Sequence, residues 1–192
     1  MKVIVAGSNG LVGSALVRQC MANDSISHAV AKSPKVTVIL HDDFSTYPQE
    51  LLDRVKGCLW WVLVLLWKVA IGGRATQFPD IDTYRKVQVD YTITAAIAFR
   101  ETLVPLLPEG SHFRFVFCSG KLAEWDQTKT LHFMADTRHI KGQVEQRLCQ
   151  VADVDAAERF AVYCTRPSGI LPANAGLAAR ALGKLYGAID VD

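Results

Sequence analysis

The chain is 192 residues long, 50% hydrophobic and 21% charged, with a formal net charge of +2. That length suits one domain, residues 1–192, with a substantial core, and a near-neutral charge without a basic run makes no case for nucleic acid or an anionic membrane as partner. The five cysteines (Cys20, Cys58, Cys118, Cys149, Cys164) are odd in number, widely spaced and set in apolar stretches, which argues against a disulfide framework and for free thiols in a reducing, cytoplasmic compartment.

The chain opens with an apolar strand, Val3–Ala6, that runs into Gly7-Ser8-Asn9-Gly10-Leu11-Val12-Gly13 and then into a helix over residues 12–21. The three glycines serve different ends. Gly7 permits a tight turn, Gly10 gives room for backbone to approach a pyrophosphate, and Gly13 allows close packing of helix on strand. The free N–H groups at the helix start then hold phosphate charge. Lys2 and the apolar residues after it fail as a secretory leader, because Ser8, Asn9 and the glycines interrupt them. Further strands are expected at residues 28–31 and, with more β-branched residues, at 36–40. A short helix follows over 47–55, with Pro48 near its start.

Residues 58–67 form the most apolar run. Lys68 ends it well short of the ~20 residues that cross a bilayer, so it reads as a fully buried parallel strand. After Gly72-Gly73, an amphipathic helix is predicted over 82–103, with Val87, Tyr91, Ala95, Ala98 and Phe99 near one face. Phe113–Cys118 is the next strand, and its phenylalanines read as sheet burial rather than as a base-stacking surface. A helix over 137–151, a strand over 160–164 and a last helix over 176–186 complete the pattern. Strands alternating with helices predict an α/β fold: a doubly wound parallel (Rossmann) sheet of about six strands with helices on both faces.

With these residues the chain resembles the short-chain dehydrogenase/reductase superfamily, most closely its atypical or extended, epimerase/dehydratase-like branch, many of whose members are fungal. The spacing Gly7-x-x-Gly10-x-x-Gly13 is that branch's fingerprint. Asp42-Asp43-Phe44 resembles the acidic–apolar pair that contacts adenine, and Asp90-Tyr91 stands where related members carry another such pair. Ser119-Gly120 matches the active-site serine, Lys141-Gly142 with Glu145 matches the helix of the active-site lysine, and Arg166-Pro167-Ser168-Gly169 matches the loop beside the nicotinamide. The resemblance implies an NAD(P)-dependent oxidoreductase or epimerase/dehydratase-like protein acting on a small-molecule carbonyl or alcohol. Ser119 would polarise the reacting oxygen and Lys141 would hold the nicotinamide ribose. The cofactor would meet Gly7, Ser8, Asn9, Gly10, Leu11, Val12, Gly13, Lys32, Asp43, Phe44, Lys141 and Pro167. The expected partners are a substrate and at most a second copy of the chain.

The chain departs from the family pattern in three places. Thr137 stands four residues before Lys141, where the family has tyrosine. A threonine hydroxyl is far less acidic than a phenol beside an ammonium, and losing a placed acid–base group forfeits about 10²–10⁴ in rate. Thr137 shares a helix face with Lys141, so it is the third catalytic position, and a restored phenol there is expected to recover rate. No carboxylate ends the 28–31 strand, while Lys32 and Lys35 follow it, which tilts cofactor choice to NADP over NAD. The chain also stops at Asp192, where relatives continue, so the family's C-terminal end is expected to be lacking. The histidines show no metal-ligand spacing, Ser119 has no G-x-S-x-G around it, Asp136 and His139 near Thr137 read equally as a solvated helix start, and Cys118 reads as a buried, inert thiol. The other reading is a non-catalytic NAD(P)-binding regulator or redox sensor.

Overall fold

The computed structural model describes residues 2–26, 37–58, 60–63, 75–155, 158–168, 170–172, 176 and 189–191. Strands β1 (Val3–Ala6), β2 (Trp60–Leu63), β3 (Phe113–Cys118) and β4 (Phe160–Thr165) form one parallel sheet in the order β1-β2-β3-β4. The register aligns Val5, Val62, Val116 and Tyr163 across the four strands. The apolar run at 58–67 supplies β2, flanked by a strand on each side, the position a two-face-buried strand requires.

β1 demonstrates the two-sided burial. Val3 and Val5 pack with Val17 and Cys20 of helix α1 (Leu11–Ala22), while Ile4 and Ala6 join the larger core. That larger core holds Phe113, Phe115 and Phe117 of β3, all 0% exposed, with residues of helices α4 (Tyr91–Thr102) and α5 (Ala135–Asp153). Successive strand side chains point to opposite faces, so Arg114, Val116 and Cys118 are less deeply buried than the three phenylalanines. This is the Rossmann-like α/β arrangement.

Helix α2 (Gln49–Arg54) starts after Pro48, whose fixed φ suits a helix entry. The helix expected over 82–103 is present as α3 (Ile81–Arg85), a π-helical turn (Lys86–Asp90) and α4. The π turn inserts one extra residue into the helix. Val87, Ala95 and Phe99 of the expected face are buried, together with Thr92, Ile93 and Ala96, whereas Tyr91 and Ala98 are only partly so.

The strand expected over 36–40 is not formed within its described part, residues 37–40, where Leu40 is 89% exposed. β-branched residues favour extended backbone, but a strand also needs a hydrogen-bonded neighbour. The expected strand at 28–31, Lys32, Lys35 and the helix over 176–186 (Gly176 apart) lie outside the described residues. A short parallel pair that the sequence did not suggest, β5 (Ile170–Pro172) with β6 (Ile189–Val191), adds a second small sheet.

Candidate functional site

Parallel strands place all their carboxyl ends at one edge, so the loops after β1, β3 and β4 open on the same side of the sheet. The loop after β1 is the glycine turn. Gly7 has φ +71°, a region that residues with a Cβ avoid, and its carbonyl accepts the N–H of Gly10 at 2.9 Å. Gly10 is buried and caps α1 with no side-chain hydrogen bond, which leaves the first-turn N–H groups of Leu11, Val12 and Gly13 without helical acceptors. A Cβ on Gly13 would lie 2.1 Å from the Gly7 carbonyl oxygen, so only glycine lets α1 sit this close to the turn. Asn9 is exposed, and Ser8, Leu11 and Val12 are half-buried around the same turn. Backbone donors at a helix start, with no side chain over them, fit an anionic group such as a pyrophosphate.

A cavity of about 130 Å³ adjoins this turn, walled by Gly7 and Ser8 on one side and by His41, Phe44 and Tyr47 on the other. Ligand sites typically run to about 300–1,000 Å³, so this one holds a ring-sized fragment rather than a whole dinucleotide. His41 packs against Phe44 and Tyr47 with centroids 5.1 and 5.2 Å away, and Tyr91 lies 6.2 Å from Phe44. Tyr47 Oη is buried with no hydrogen-bond partner. Asp43 is exposed, and its carboxylate accepts from the backbone and hydroxyl of Ser45, which hold its pKa below the usual value. Phe44 therefore faces the cavity, while Asp43 closes its own turn. His41 and Tyr47 are absent from the sequence-derived site, and the aromatic spacing 41, 44, 47 was the available signal.

Ser119 and Lys141 come together at the carboxyl end of β3. Ser119 donates its backbone N–H to Thr165 O at 2.8 Å, and Lys141 Nζ donates to Ser119 O at 3.0 Å. Lys141 Nζ also lies 6.0 Å from the centre of the Phe117 ring. Burial pushes the Lys141 pKa below its ordinary value, against the opposing pull of Cys118 and Glu145. Ser119 is 4% exposed, and its Oγ has no formed hydrogen bond. The loop after β4 joins this group, because Pro167 O accepts the N–H of Lys121 at 3.0 Å.

Thr137 lies one turn before Lys141 on α5 but is 6% exposed, with its hydroxyl engaged inside the protein. Thr137 Oγ1 accepts the Ala75 N–H at 3.0 Å, and the Tyr84 hydroxyl also bonds to the Thr137 side chain. Tyr84 is 0% exposed, and its burial drives the phenol pKa up. Of the groups near Thr137, Asp136 is exposed and His139 Nε2 is buried without a partner.

All five cysteines are free thiols. Burial pushes Cys58 up to about 11 and Cys164 up to about 12. Cys118, by contrast with the buried thiol expected, is only partly buried. Among the described residues no helix is long and apolar enough to cross a membrane.

No family model matches the chain, and no curated protein matches it in sequence. Solved structures do match in fold. The FolM alternative dihydrofolate reductase 1 of Brucella canis, complexed with NADP, superposes with a TM-score of 0.64 at 17% identity, covering 99% of this chain and 82% of that one. A short chain dehydrogenase from Burkholderia cenocepacia, in complex with NADP, gives 0.61 at 15% identity over 89% and 71%. A human epimerase family protein with NADPH gives 0.54 at 14% identity over 95% and 58%. The fold is thus the Rossmann-like fold of the short-chain dehydrogenases, reductases and epimerases.

Proposed function

We propose that this protein binds NADP(H) at its glycine turn and acts as an oxidoreductase or epimerase/dehydratase-like enzyme on a small-molecule carbonyl or alcohol. The carrying observation is the convergence, at one sheet edge, of an uncapped helix start with a buried serine and a desolvated lysine. The solved structures of like fold that contain NADP or NADPH support the cofactor class. When bound, the nicotinamide supplies hydride chemistry, which no side chain can.

The chain's own residues do the rest. First-turn N–H groups of α1 hold the pyrophosphate, and the aromatic cavity beside Phe44 takes the adenine end. Lys141 fixes the Ser119 carbonyl and offers its remaining N–H groups to a ribose. The Ser119 hydroxyl donates to the reacting oxygen. No phenol stands on α5, and the Thr137 hydroxyl is already bonded, so proton transfer falls to water or to the substrate itself. The engagement of Thr137 favours the second reading, an NAD(P)-binding regulator without turnover. We place the protein in the cytoplasm on its free thiols.

Calorimetric titration with NADP and NAD, followed by a turnover screen with carbonyl compounds, separates the readings. NADP binding with reduction is expected. Tight binding with no turnover would select the regulator, and absence of binding to either dinucleotide would remove both. Gly10→Val should weaken NADP binding at least tenfold, because its side chain intrudes where the pyrophosphate must approach backbone. Unchanged affinity in that variant would refute the placement.

A further inference from the structure

Glu145, one turn after Lys141 on α5, is a carboxylate only 1% exposed. Three elements converge on it. Arg166, in the loop after β4, donates through Nε to Oε1 at 2.9 Å and through Nη2 to Oε2. Trp125, in the loop after β3, donates its indole N–H to Oε2 at 2.5 Å. The Ser119 side chain lies close enough to help hold this carboxyl below its ordinary value, yet forms no proper hydrogen bond with it. The other polar groups of Ser119 are occupied, its N–H by Thr165 and its carbonyl by Lys141. Its hydroxyl alone is buried and unbonded. A buried hydroxyl beside a carboxylate ordinarily donates to it, since an unmade bond costs about 1–3 kcal/mol. Here the carboxylate already has better, charge-assisted donors.

We propose that Glu145 is a positioning residue whose carboxylate is engaged by Arg166 and Trp125, so that the Ser119 hydroxyl stays free for a substrate oxygen. The role of Ser119 rests on the function proposed above; the engagement of Glu145 by Arg166 and Trp125 does not. The clamp also joins the loops after β3 and β4 to α5, so the serine and lysine keep their mutual placement. Without Arg166, Glu145 would turn to Ser119 and capture the proton that the substrate oxygen needs. The ionisable neighbours of Glu145 are Lys141 one turn before it, Cys149 one turn after it, and Cys164 and Arg166 across from it on and beyond β4.

The test follows the Glu145 carboxyl by carbon-13 NMR in protein labelled at glutamate Cδ, with Glu145→Gln identifying the signal. In the native protein it should titrate below the ordinary carboxylate range. Arg166→Met should raise its midpoint by about 1–3 pH units, the size of losing one adjacent charge. The deciding quantity is the additional effect of Ser119→Ala. It should move the Glu145 midpoint more in the Arg166→Met protein than in the native one, because only there does the hydroxyl bond to the carboxylate. Equal shifts in both would overturn the proposal. Trp125→Phe, at a 44%-exposed position, also frees a lone pair and should give the same coupling if Arg166→Met does not fold. In turnover, Arg166→Met should lower kcat with little change in cofactor affinity, and Arg166→Lys should recover part of it. Coupling in a protein without turnover would keep the clamp and refute the oxidoreductase reading. Turnover without coupling would do the reverse.

Discussion

Thr137, 6% exposed, accepts the Ala75 N–H through Oγ1 and meets the hydroxyl of Tyr84, which is itself 0% exposed. Enlarging it to tyrosine must both break the Ala75 bond and overpack Tyr84, and overpacking alone costs about 1–3 kcal/mol. Thr137→Tyr is therefore expected to lower unfolding stability by about 2–4 kcal/mol in urea titration, the lost hydrogen bond adding about 0.5–1.5. Thr137→Ser, which keeps the oxygen, should stay within about 1 kcal/mol of native, the small loss of one methyl. Native stability in Thr137→Tyr would mean that the side chain points out of this site. Sequence spacing located Thr137 on the face of Lys141 because residues four apart share a face. It did not reveal the Ala75 and Tyr84 contacts, which join positions 62 and 53 residues away in the chain. The glycines were legible for the opposite reason, since their roles at positions 7 and 13 lie within one local turn.

At the scale of elements, α5 and the loop after β3 meet where Gly142 lies beneath residues 124 and 125. A Cβ on Gly142 would stand 1.8 Å from Glu124 O and 3.0 Å from Trp125 N, backbone atoms that cannot rotate aside. Gly142→Ala should cost about 3 kcal/mol or more, the upper end for overpacking, and should loosen the Trp125–Glu145 bond. The contrasting variant is Gly120→Ala, whose Cβ would meet the Lys141 side chain at Cδ, 3.5 Å, and Cε, 4.0 Å, both ordinary contacts. It should change unfolding stability by less than about 1 kcal/mol. If the two variants melt alike, the close crossing at Gly142 does not exist in solution. From sequence, Lys141-Gly142 was legible only through its resemblance to a family helix; periodicity cannot show that a loop crosses there. Likewise the pattern at 82–103 gave the helix but not its π turn, because one inserted residue changes which positions face the core without changing helical composition.

For the molecule as a whole, acid stability depends on which carboxylates the fold holds ionised. Asp43, Asp53, Asp80, Glu124 and Asp126 all have lowered pKa values from local hydrogen bonds, but all except the half-buried Glu124 stand in solvent, where such interactions are screened and weak. Glu145 differs. Burial alone would raise its pKa, and the hydrogen bonds from Arg166 and Trp125, with the Ser119 hydroxyl nearby, outweigh that and bring it below the ordinary value. A carboxyl with a folded pKa below its unfolded value of about 4.3 contributes stability that is fully present above that pH. The contribution is lost as pH falls through the folded pKa, because the unfolded chain takes up its proton first. Glu145→Gln should therefore be less stable than the native protein at pH 7 but lose less between pH 5 and pH 3, so the two curves converge in acid. Urea midpoints across that range, repeated at 1 M salt, provide the measurement. Salt should shrink the exposed carboxylates' share more than the convergence, since the Glu145 carboxylate is buried even though its Arg166 partner is 42% exposed. Parallel curves for the two proteins would mean that Glu145 is not held ionised and that acid loss arises at the surface.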